Sequence, residues 1–291
     1  MPRHITFAAA QFPSETGDIA RNLEAHRDWI ASADQAGADV LVFPELSLVG
    51  HYGAERLLDV AMMRQDDRLL GLSRIAPRLS IVVGFVEEGP GAQFYNAAAV
   101  LQGGRLRYIH RKINLPSYGR LIETKYYAQG RFVDTHGIDE DWRMGLLICA
   151  DLYNPALTHL SFLHGATFLA APISSGREAV GDEFDNPASW ATTMQFYSMM
   201  YGAPSIMVNR TGREEDLTFW GGSRILDAYG RVLAQAGSAE EMITARVDYA
   251  DVRRARAQLP TVRDSNIGLV ARETDRLIAR LGVPEMVRQE D

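Results

Sequence analysis

The sequence predicts an α/β protein in which mixed β-sheets are covered by helices. Two observations carry this prediction. Short apolar runs typical of buried strands alternate along the chain with longer segments that have helical spacing of apolar residues. Two pairs of these runs are joined through glycine-containing turns, at Gly103-Gly104 and at Tyr229-Gly230, which indicates antiparallel hairpins. Because a purely parallel sheet lacks hairpins, we expect sheets with both kinds of pairing.

The N-terminal half of the chain opens with an apolar strand, Ile5 to Gln11. Helical spacing follows from Asp18 to Ala36, and Gly37 stands where a helix is expected to end in the left-handed conformation. The other elements predicted in this half are a strand at Val40 to Phe43, helical patterning between Glu55 and Pro77, a strand at Ile81 to Val86, and hairpin strands at Asn96 to Gln102 and Arg105 to His110.

The C-terminal half continues the alternation. An apolar run from Trp142 to Ile148 predicts a buried strand, and it ends at the only cysteine, Cys149. The other predicted strands are Thr167 to Ala170, Ser205 to Val208, Ser223 to Ala228, Arg231 to Ala236 and Ile243 to Val247. Helices are predicted at Pro155 to His164, at Pro187 to Tyr201, between Tyr249 and Ala257, and near Ile267 to Leu281.

Length and composition fit one sizeable domain. The chain has 291 residues, of which 46% are hydrophobic and 23% charged, as in ordinary globular proteins. No repeat, low-complexity linker or shift in composition marks a domain boundary. We therefore predict a single domain at residues 1–260. A C-terminal helix and charged tail at residues 261–291 are expected to reach an oligomer interface.

Charge and cysteine content exclude several classes of protein. A net charge of −7 argues against a nucleic-acid-binding protein that relies on phosphate neutralisation. A single cysteine excludes an intrachain disulfide framework. The sequence contains neither a run of about 20 apolar residues nor a basic segment followed by an apolar stretch at its start, so we expect no transmembrane helix and no secretion signal. The expected compartment is the cytoplasm, where a thiol stays reduced.

Cys149 is the first candidate for chemistry. It ends an apolar strand, and Pro155 stands where the next helix should begin, so we expect the thiol at a sharp turn near a helix N-terminus. The helix dipole there favours the thiolate, which is the nucleophilic form. Considered alone, a lone cysteine at the end of an apolar run is more often an inert core residue.

Glu45 and Lys112 also follow predicted strands. Glu45 comes after the apolar Leu41-Val42-Phe43-Pro44, so its carboxylate should be partly desolvated and suited to accept a proton from a thiol. Lys112 follows the strand that leaves the first hairpin, where a cation could stabilise an oxyanion. Considered alone, Glu45 could be a helix N-cap or a partner in a loop ion pair, and Lys112 could be an ordinary solvated side chain. Together with Cys149, they could converge on one pocket.

The segments around these three residues closely resemble the signature segments of the nitrilase (carbon–nitrogen hydrolase) superfamily. They are residues 43–52, 111–116 and 148–151. Glu123 stands at the place of the family's second glutamate. Phe219-Trp220-Gly221-Gly222-Ser223, followed by Asp227 to Gly230, resembles the family's Gly-Gly-Ser strand and hairpin. The resemblance covers roughly residues 4 to 250 in the order and spacing of the family.

This resemblance implies a fold and a set of roles. The fold is a four-layer α-β-β-α sandwich with two mixed sheets, in proteins that pair into homodimers or dimer-based assemblies. Cys149 would attack an amide or nitrile carbon, and Glu45 would move the protons. Lys112 and the Ala150 N–H would hold the oxyanion, and Glu123 would position Lys112. The chemistry would need no metal and no organic cofactor.

The sequence indicates the superfamily more specifically than it indicates the class of substrate. Nitrile-cleaving members typically carry Trp-Glu after the cysteine, where this chain has Ala150-Asp151. Carbamoyl-amino-acid hydrolases carry an arginine pair that grips a carboxylate, where this chain has Leu152-Tyr153. The segments around Lys112 and Cys149 most resemble the glutaminase domain of glutamine-dependent NAD synthetases. The chain has no room for a synthetase domain, so we expect no complete synthetase activity.

The leading hypothesis is therefore an amidase that releases ammonia from a small linear amide through a thioester on Cys149. Tyr52 and Arg177 are predicted to shape the choice of substrate. The alternatives are an N-carbamoyl amide hydrolase or a nitrilase of the same family, and a catalytically silent binding paralogue. A nucleotide-cofactor protein is disfavoured because no G-x-G-x-x-G follows the first strand.

Overall fold

Two six-stranded β-sheets stack face to face in the computed structural model, which describes residues 4–281. In chain order the strands are β1 (His4–Gln11), β2 (Val40–Val42), β3 (Ser80–Gly89), β4 (Gln93–Gln102), β5 (Arg105–Arg111), β6 (Thr135–Gly137), β7 (Arg143–Leu146), β8 (Phe168–Pro172), β9 (Ser205–Val208), β10 (Thr211–Glu214), β11 (Leu217–Trp220), β12 (Arg224–Leu226), β13 (Val232–Gln235) and β14 (Glu241–Asp248). The α-helices are α1 (Ile19–Gln35), α2 (Leu57–Val60), α3 (Asp67–Ile75), α4 (Pro155–Leu163), α5 (Asn186–Tyr201), α6 (Tyr249–Gln258) and α7 (Ile267–Leu281).

Both sheets contain parallel and antiparallel pairs, as the hairpin signals predict. The first sheet has the order β14-β1-β2-β3-β4-β5, and the second has the order β13-β12-β9-β8-β7-β6. Parallel pairing joins β1 to β2, β2 to β3, β7 to β8 and β8 to β9, whereas both predicted hairpins, β4–β5 and β12–β13, are antiparallel. Glu45, Lys112 and Cys149 follow strands of these two sheets, whereas Glu123 lies in the 3₁₀ turn Glu123–Lys125.

Alternation along β1 shows how the layers form. Phe7 and Ala9 belong to the core between the two sheets, whereas Ala8 and Ala10 pack toward the helices α1 and α3. Across the gap between the sheets, the rings of Phe7 and Phe168 lie 4.9 Å apart. Helices α4 and α5 cover the outer face of the second sheet. The chain is thus the expected four-layer α-β-β-α sandwich.

The helical pattern predicted between Glu55 and Pro77 is broken in the structure. A 3₁₀ turn at Tyr52–Arg56 runs into the one-turn helix α2, and α3 begins separately. The break occurs because the Asp66 side chain accepts the Arg68 N–H at 2.9 Å and caps a new helix. The sequence patterns did not predict β6 or the hairpin β10–β11, which forms a two-stranded sheet of its own.

Helix α7 has the predicted bounds, but none of its residues is buried against the rest of the subunit. Residues 282–291 of the predicted C-terminal segment lie outside the described residues. Within residues 4–281, no helix combines the length and the apolarity that crossing a membrane requires.

Candidate active site

Glu45 is placed by a tight turn at the end of β2. The side chain is 2% exposed. The next residue, Leu46, has a φ of 53°, which a residue with a side chain rarely adopts. Strand β3 passes so close that a Cβ on Gly84 would come within 2.4 Å of the Leu46 nitrogen. A glycine is therefore required at position 84 for this turn to carry Glu45 into the core.

Lys112 follows β5 directly and is fully buried. The next loop packs back on it, because the Gly130 N–H donates to the Lys112 carbonyl at 2.8 Å. A Cβ on Gly130 would lie 2.0 Å from the Arg111 carbonyl oxygen, so this close approach also requires glycine. This loop closes over Lys112, whose side chain has no access to solvent.

Cys149 stands at the end of the second sheet, after β7. Its φ of 45° is an unusual backbone conformation for a residue with a side chain. It begins a short 3₁₀ helix, Cys149–Tyr153, and α4 then starts at Pro155 with Asn154 as its N-cap. Strained residues that persist in a rigid frame are common at active sites.

The Lys112 ammonium joins two carboxylates. Its Nζ lies 2.6 Å from Glu45 Oε1 and 2.6 Å from Glu123 Oε1. An ammonium has three N–H donors, so two of them are engaged and one remains for a substrate. The structure therefore brings Glu45, Lys112 and Glu123 into one buried, hydrogen-bonded cluster.

Two further groups hold Glu45, and both were missed in the sequence. Asn96 Nδ2 donates to Glu45 Oε1 at 2.8 Å, and the Ser174 N–H donates to Glu45 Oε2 at 2.8 Å. The sequence nevertheless contains a signal for each of these two residues. Asn96 is the polar residue at the start of an apolar strand, and Ser174 follows the apolar β8 as Glu45 follows β2.

Burial and charge set the pKa values of the cluster. Burial lowers the pKa of Lys112, but the charges of Glu123 and Glu45 outweigh burial and raise it well above its usual range. Burial raises the pKa of Glu123 to about 7, and the charge of Glu45 acts in the same direction while Lys112 opposes it. Lys112 therefore stays a cation at neutral pH.

The Cys149 thiol lies close enough to this cluster to interact electrostatically with all three of its charged groups. Burial raises the pKa of the thiol well above its usual range, and Glu45 adds to this while Lys112 opposes it. The expectation that a helix end favours the thiolate is therefore wrong: α4 begins only at Pro155, and burial dominates. The resting thiol is protonated and needs a base.

Ala150 is the second residue of the short helix that begins at Cys149. N–H groups in the first turn of a helix have no intrahelical acceptor, so the Ala150 N–H is suited to bind an oxyanion. Asn114 Nδ2 donates to the Ala150 carbonyl at 3.3 Å, which holds the next peptide of this turn.

Tyr52 lies on the wall of a small cavity that reaches Glu123. Its hydroxyl donates to Asp216 Oδ1 at 2.7 Å. His51 Nδ1 lies 3.1 Å from Ser174 Oγ, and burial lowers the pKa of His51 to about 4, so the ring is neutral at pH 7. The cavity is lined by Leu46, His51, Tyr52, Ala54, Glu55, Arg120, Leu121, Ile122, Glu123, Tyr126 and Tyr127.

Arg177 is exposed on the loop that follows β8. Its backbone N–H donates to the Thr218 carbonyl at 2.9 Å, which ties this loop to the hairpin β10–β11. Among the residues that line the cavity beside Glu123, Arg177 does not appear. Its role in substrate choice stays a prediction.

The sequence model of the carbon-nitrogen hydrolase family matches residues 6–257. The chain is 28% identical over 256 residues to a glutamine-dependent NAD(+) synthetase from Thermotoga maritima, a match that covers 84% of this chain and 42% of that protein. It is 26% identical over 279 residues to an N-carbamoylputrescine amidase from Solanum lycopersicum, covering 90% of this chain and 92% of that protein.

The chain thus spans less than half the length of that NAD synthetase. Among solved structures, a carbon-nitrogen hydrolase from Helicobacter pylori G27 superposes with a TM-score of 0.83 at 22% identity, over 91% of this chain and 97% of that chain. This likeness establishes a shared fold.

Proposed function

Because the chain belongs to the carbon-nitrogen hydrolase family, we propose that it is an amidase that releases ammonia from a small linear amide through a thioester on Cys149. The observation that carries the proposal is the buried cluster of Glu45, Lys112 and Glu123 beside a protonated thiol. Burying these charges is costly, and an apolar core would not need them.

In the first step, Glu45 takes the thiol proton while Sγ attacks the amide carbon. Glu45 Oε1 already accepts from Lys112 and Asn96, and Oε2 accepts the Ser174 N–H, so the carboxylate is held in place for this transfer. The remaining Lys112 N–H and the Ala150 N–H stabilise the oxyanion. Glu45 then returns the proton to the nitrogen, ammonia leaves, and a thioester remains.

In the second step, Glu45 takes a proton from water, and the resulting hydroxide attacks the thioester carbon. Collapse of the tetrahedral intermediate expels the Cys149 thiolate, which recovers its proton from Glu45. The products are a carboxylic acid and the free enzyme. Glu123 keeps Lys112 in position through both steps, because their 2.6 Å contact fixes the ammonium.

An N-carbamoyl amide is the second candidate substrate. The similarity to an N-carbamoylputrescine amidase extends over 90% of this chain and 92% of that protein, which favours this candidate over a nitrile. The glutaminase-like segments favour a primary amide instead. Since Leu152-Tyr153 stands where carbamoyl-amino-acid hydrolases carry two arginines, we rank the linear amide first.

Ammonia release from a panel of linear amides, N-carbamoyl amines, N-carbamoyl amino acids and nitriles tests the proposal. We expect release from linear amides by the wild type and none by Cys149→Ala, since deletion of the nucleophile removes the thioester route. Cys149 is the only cysteine, so mass spectrometry of a reaction quenched in acid would locate the acyl adduct without ambiguity.

Each other result of this panel would change the activity that we propose. Release from N-carbamoyl compounds alone would favour the second candidate, and release from nitriles alone would make the chain a nitrilase. Unchanged release by Cys149→Ala would contradict the nucleophile. If no compound of the panel released ammonia and iodoacetamide did not alkylate Cys149, the result would favour a catalytically silent binding paralogue.

We also propose that the chain pairs with a second copy through α7. The apolar residues Ile267, Val270, Leu277 and Leu281 recur at spacings of three, seven and four on this helix, and each is at least 42% exposed. This spacing is typical of helices that pair along a seam, and a two-fold dimer brings identical surfaces together. Light scattering should give a dimer for the wild type and a monomer for Leu277→Glu; a monomeric wild type would contradict the proposal.

A further inference from the structure

The two sheets contribute different parts of the candidate site. Glu45 and Lys112 follow strands of the first sheet, whereas Cys149 follows a strand of the second. The sheets are held together mainly by apolar packing, which is not directional. Attack on an amide requires reacting atoms within about 3–3.5 Å, and a 1 Å misplacement can cost about 100-fold in rate. Directional contacts between the sheets are therefore needed at this point; the bond from the Ser174 N–H to Glu45 is one, and it does not involve the turn that carries Cys149.

Asp151 makes such a contact. Its carboxylate is fully buried and accepts four hydrogen bonds, two at each oxygen. Oδ1 accepts the Ile113 N–H at 2.9 Å and the Asn114 N–H at 2.7 Å, both from the segment directly after Lys112. Oδ2 accepts the Ile148 N–H at 3.1 Å, which closes the turn that carries Cys149.

The fourth donor is the imidazole of His110. This residue lies on β5, two positions before Lys112, and is 1% exposed. Its Nε2 lies 2.8 Å from Asp151 Oδ2. The Asp151 side chain on the Cys149 turn is therefore bound by His110, which precedes Lys112, and by two backbone N–H groups that follow Lys112.

We propose that Asp151 and His110 are positioning residues that lock the second sheet onto the first, so that Cys149 is held opposite Lys112 and Glu45. This inference rests on the proposed function, because it concerns the geometry of that site. Neither residue touches the reacting atoms in the mechanism above. The pair also keeps Cys149 in its strained φ of 45°, since the Ile148 bond closes the same turn.

The pattern of donors explains why residue 151 is a carboxylate. Four N–H groups converge on it, and a carboxylate offers acceptors on both oxygens. The amide of an asparagine has the same shape but one acceptor oxygen, so its NH₂ group would face two donors on one side. The substitution Asp151→Asn therefore keeps the volume and breaks the link on one side.

The test combines steady-state kinetics with alkylation of Cys149 by iodoacetamide. We expect Asp151→Asn to lower kcat about 100-fold with KM changed less than about threefold, because the misplaced nucleophile affects attack more than binding. Alkylation at pH 8 should change by about threefold or more, since the displaced thiol changes its burial and its distances from Glu45 and Lys112, which together set its pKa.

His110 supplies a second pair of variants. Gln at this position can present an amide N–H to Asp151, whereas Leu cannot. We expect His110→Gln to keep kcat within about threefold of the wild type and His110→Leu to lose about tenfold or more. Equal kcat values in the two variants would contradict the role of the imidazole as a donor to Asp151.

Asp227→Asn is the matched control. Asp227 is also a buried turn carboxylate, and it accepts the Tyr229 N–H at 2.8 Å and the Arg231 N–H at 2.9 Å, but it lies on the β12–β13 hairpin. It should lower the melting temperature without changing kcat or alkylation. If Asp151→Asn behaves in the same way, Asp151 is merely structural and the proposal is overturned.

The alkylation arm separates this proposal from the proposed function. If the wild type hydrolyses no compound of the panel, yet alkylation of Cys149 still depends on Asp151 and on the donor at position 110, the proposed function fails and the positioning role stands. If the wild type hydrolyses a compound of the panel and neither kcat nor alkylation changes in these variants, the proposed function stands and the positioning role fails. Should Asp151→Asn fail to fold, as judged by circular dichroism, the two His110 variants decide the outcome.

Discussion

The floor of the candidate site and its rim are built in different ways. The floor consists of Glu45, Lys112 and Glu123 with the thiol of Cys149; all four residues are buried, and Lys112 is joined to each glutamate by a hydrogen bond of 2.6 Å. The rim consists of loop residues 50–56, 117–122 and 176–182 with the hairpin β10–β11. Its polar contacts are mostly exposed.

The rim nevertheless has a small structure of its own. Ala179, Leu217 and Phe219 form a separate apolar cluster there, against which Tyr52 and Leu121 pack. Asp216 on the hairpin turn accepts a hydrogen bond from Tyr52 and another from Arg120, each of which belongs to a different loop. Under the proposed function, reactivity and selectivity would be carried separately: the floor would hold the reacting atoms, and the rim would shape what reaches them.

Lys112→Ala tests the floor and should have the largest effect. It removes an oxyanion donor, worth about 10²–10³ in rate, and leaves Glu45 and Glu123 facing each other without a cation. Breaking a buried ion pair in this way lowers the free energy of unfolding by about 3–5 kcal/mol, so the variant should also unfold at a lower urea concentration. Ammonia release and urea titration measure the two effects.

The chain supplies its own control, because it contains only two lysines. Lys125 is exposed and contacts the neighbouring Tyr126. Lys125→Ala should keep both activity and stability. If Lys112→Ala retained more than about a tenth of the wild-type rate, Lys112 would not be the oxyanion donor.

The sequence predicted the floor better than the rim for a physical reason. Glu45, Lys112 and Cys149 each follow an apolar run that predicts a strand, and the ends of these strands meet where the two sheets stack. The family resemblance then supplied Glu123, which no local pattern indicates. Asp151 was read only as part of the cysteine segment, because three of its four donors, on His110, Ile113 and Asn114, are distant in the chain and meet it only in the fold.

The hairpin β10–β11 was missed because its signal is weak. Its turn, Glu215-Asp216, contains no glycine or asparagine, although Glu215 adopts a φ of 46°. Its strands are only four residues each, and Arg213 and Thr218 are exposed. Tertiary contacts with Tyr52 and Arg120 hold it in place, and such contacts cannot be inferred from local propensity.

Glu123→Gln tests the floor through the pH dependence of Cys149 alkylation and should have an intermediate effect. Burial raises the pKa of Glu123 to about 7, and the charge of Glu123 raises the pKa of the Cys149 thiol. As pH rises through 7, Glu123 therefore ionises and makes the thiolate harder to form. The logarithm of the iodoacetamide rate should rise with a slope below one between pH 6 and 8 in the wild type.

In Glu123→Gln that slope should return to one, and alkylation at pH 8 should be faster by on the order of tenfold, the effect of one pKa unit. Glu183→Gln, which changes an exposed carboxylate, should keep the wild-type profile. Identical profiles for Glu123→Gln and the wild type would mean that Glu123 does not titrate beside the thiol.

Asp216→Asn tests the rim and should have the smallest effect. It weakens the contacts to Tyr52 and Arg120, and exposed ion pairs are worth about 0–1 kcal/mol. We expect KM to rise by at most about fivefold with kcat and alkylation of Cys149 unchanged, because the floor is untouched. Asp264→Asn breaks an exposed pair with Arg263 outside the rim and should change neither constant. A fall in kcat for Asp216→Asn, with KM constant, would show that the rim holds the reacting groups, and the separation between floor and rim would fail.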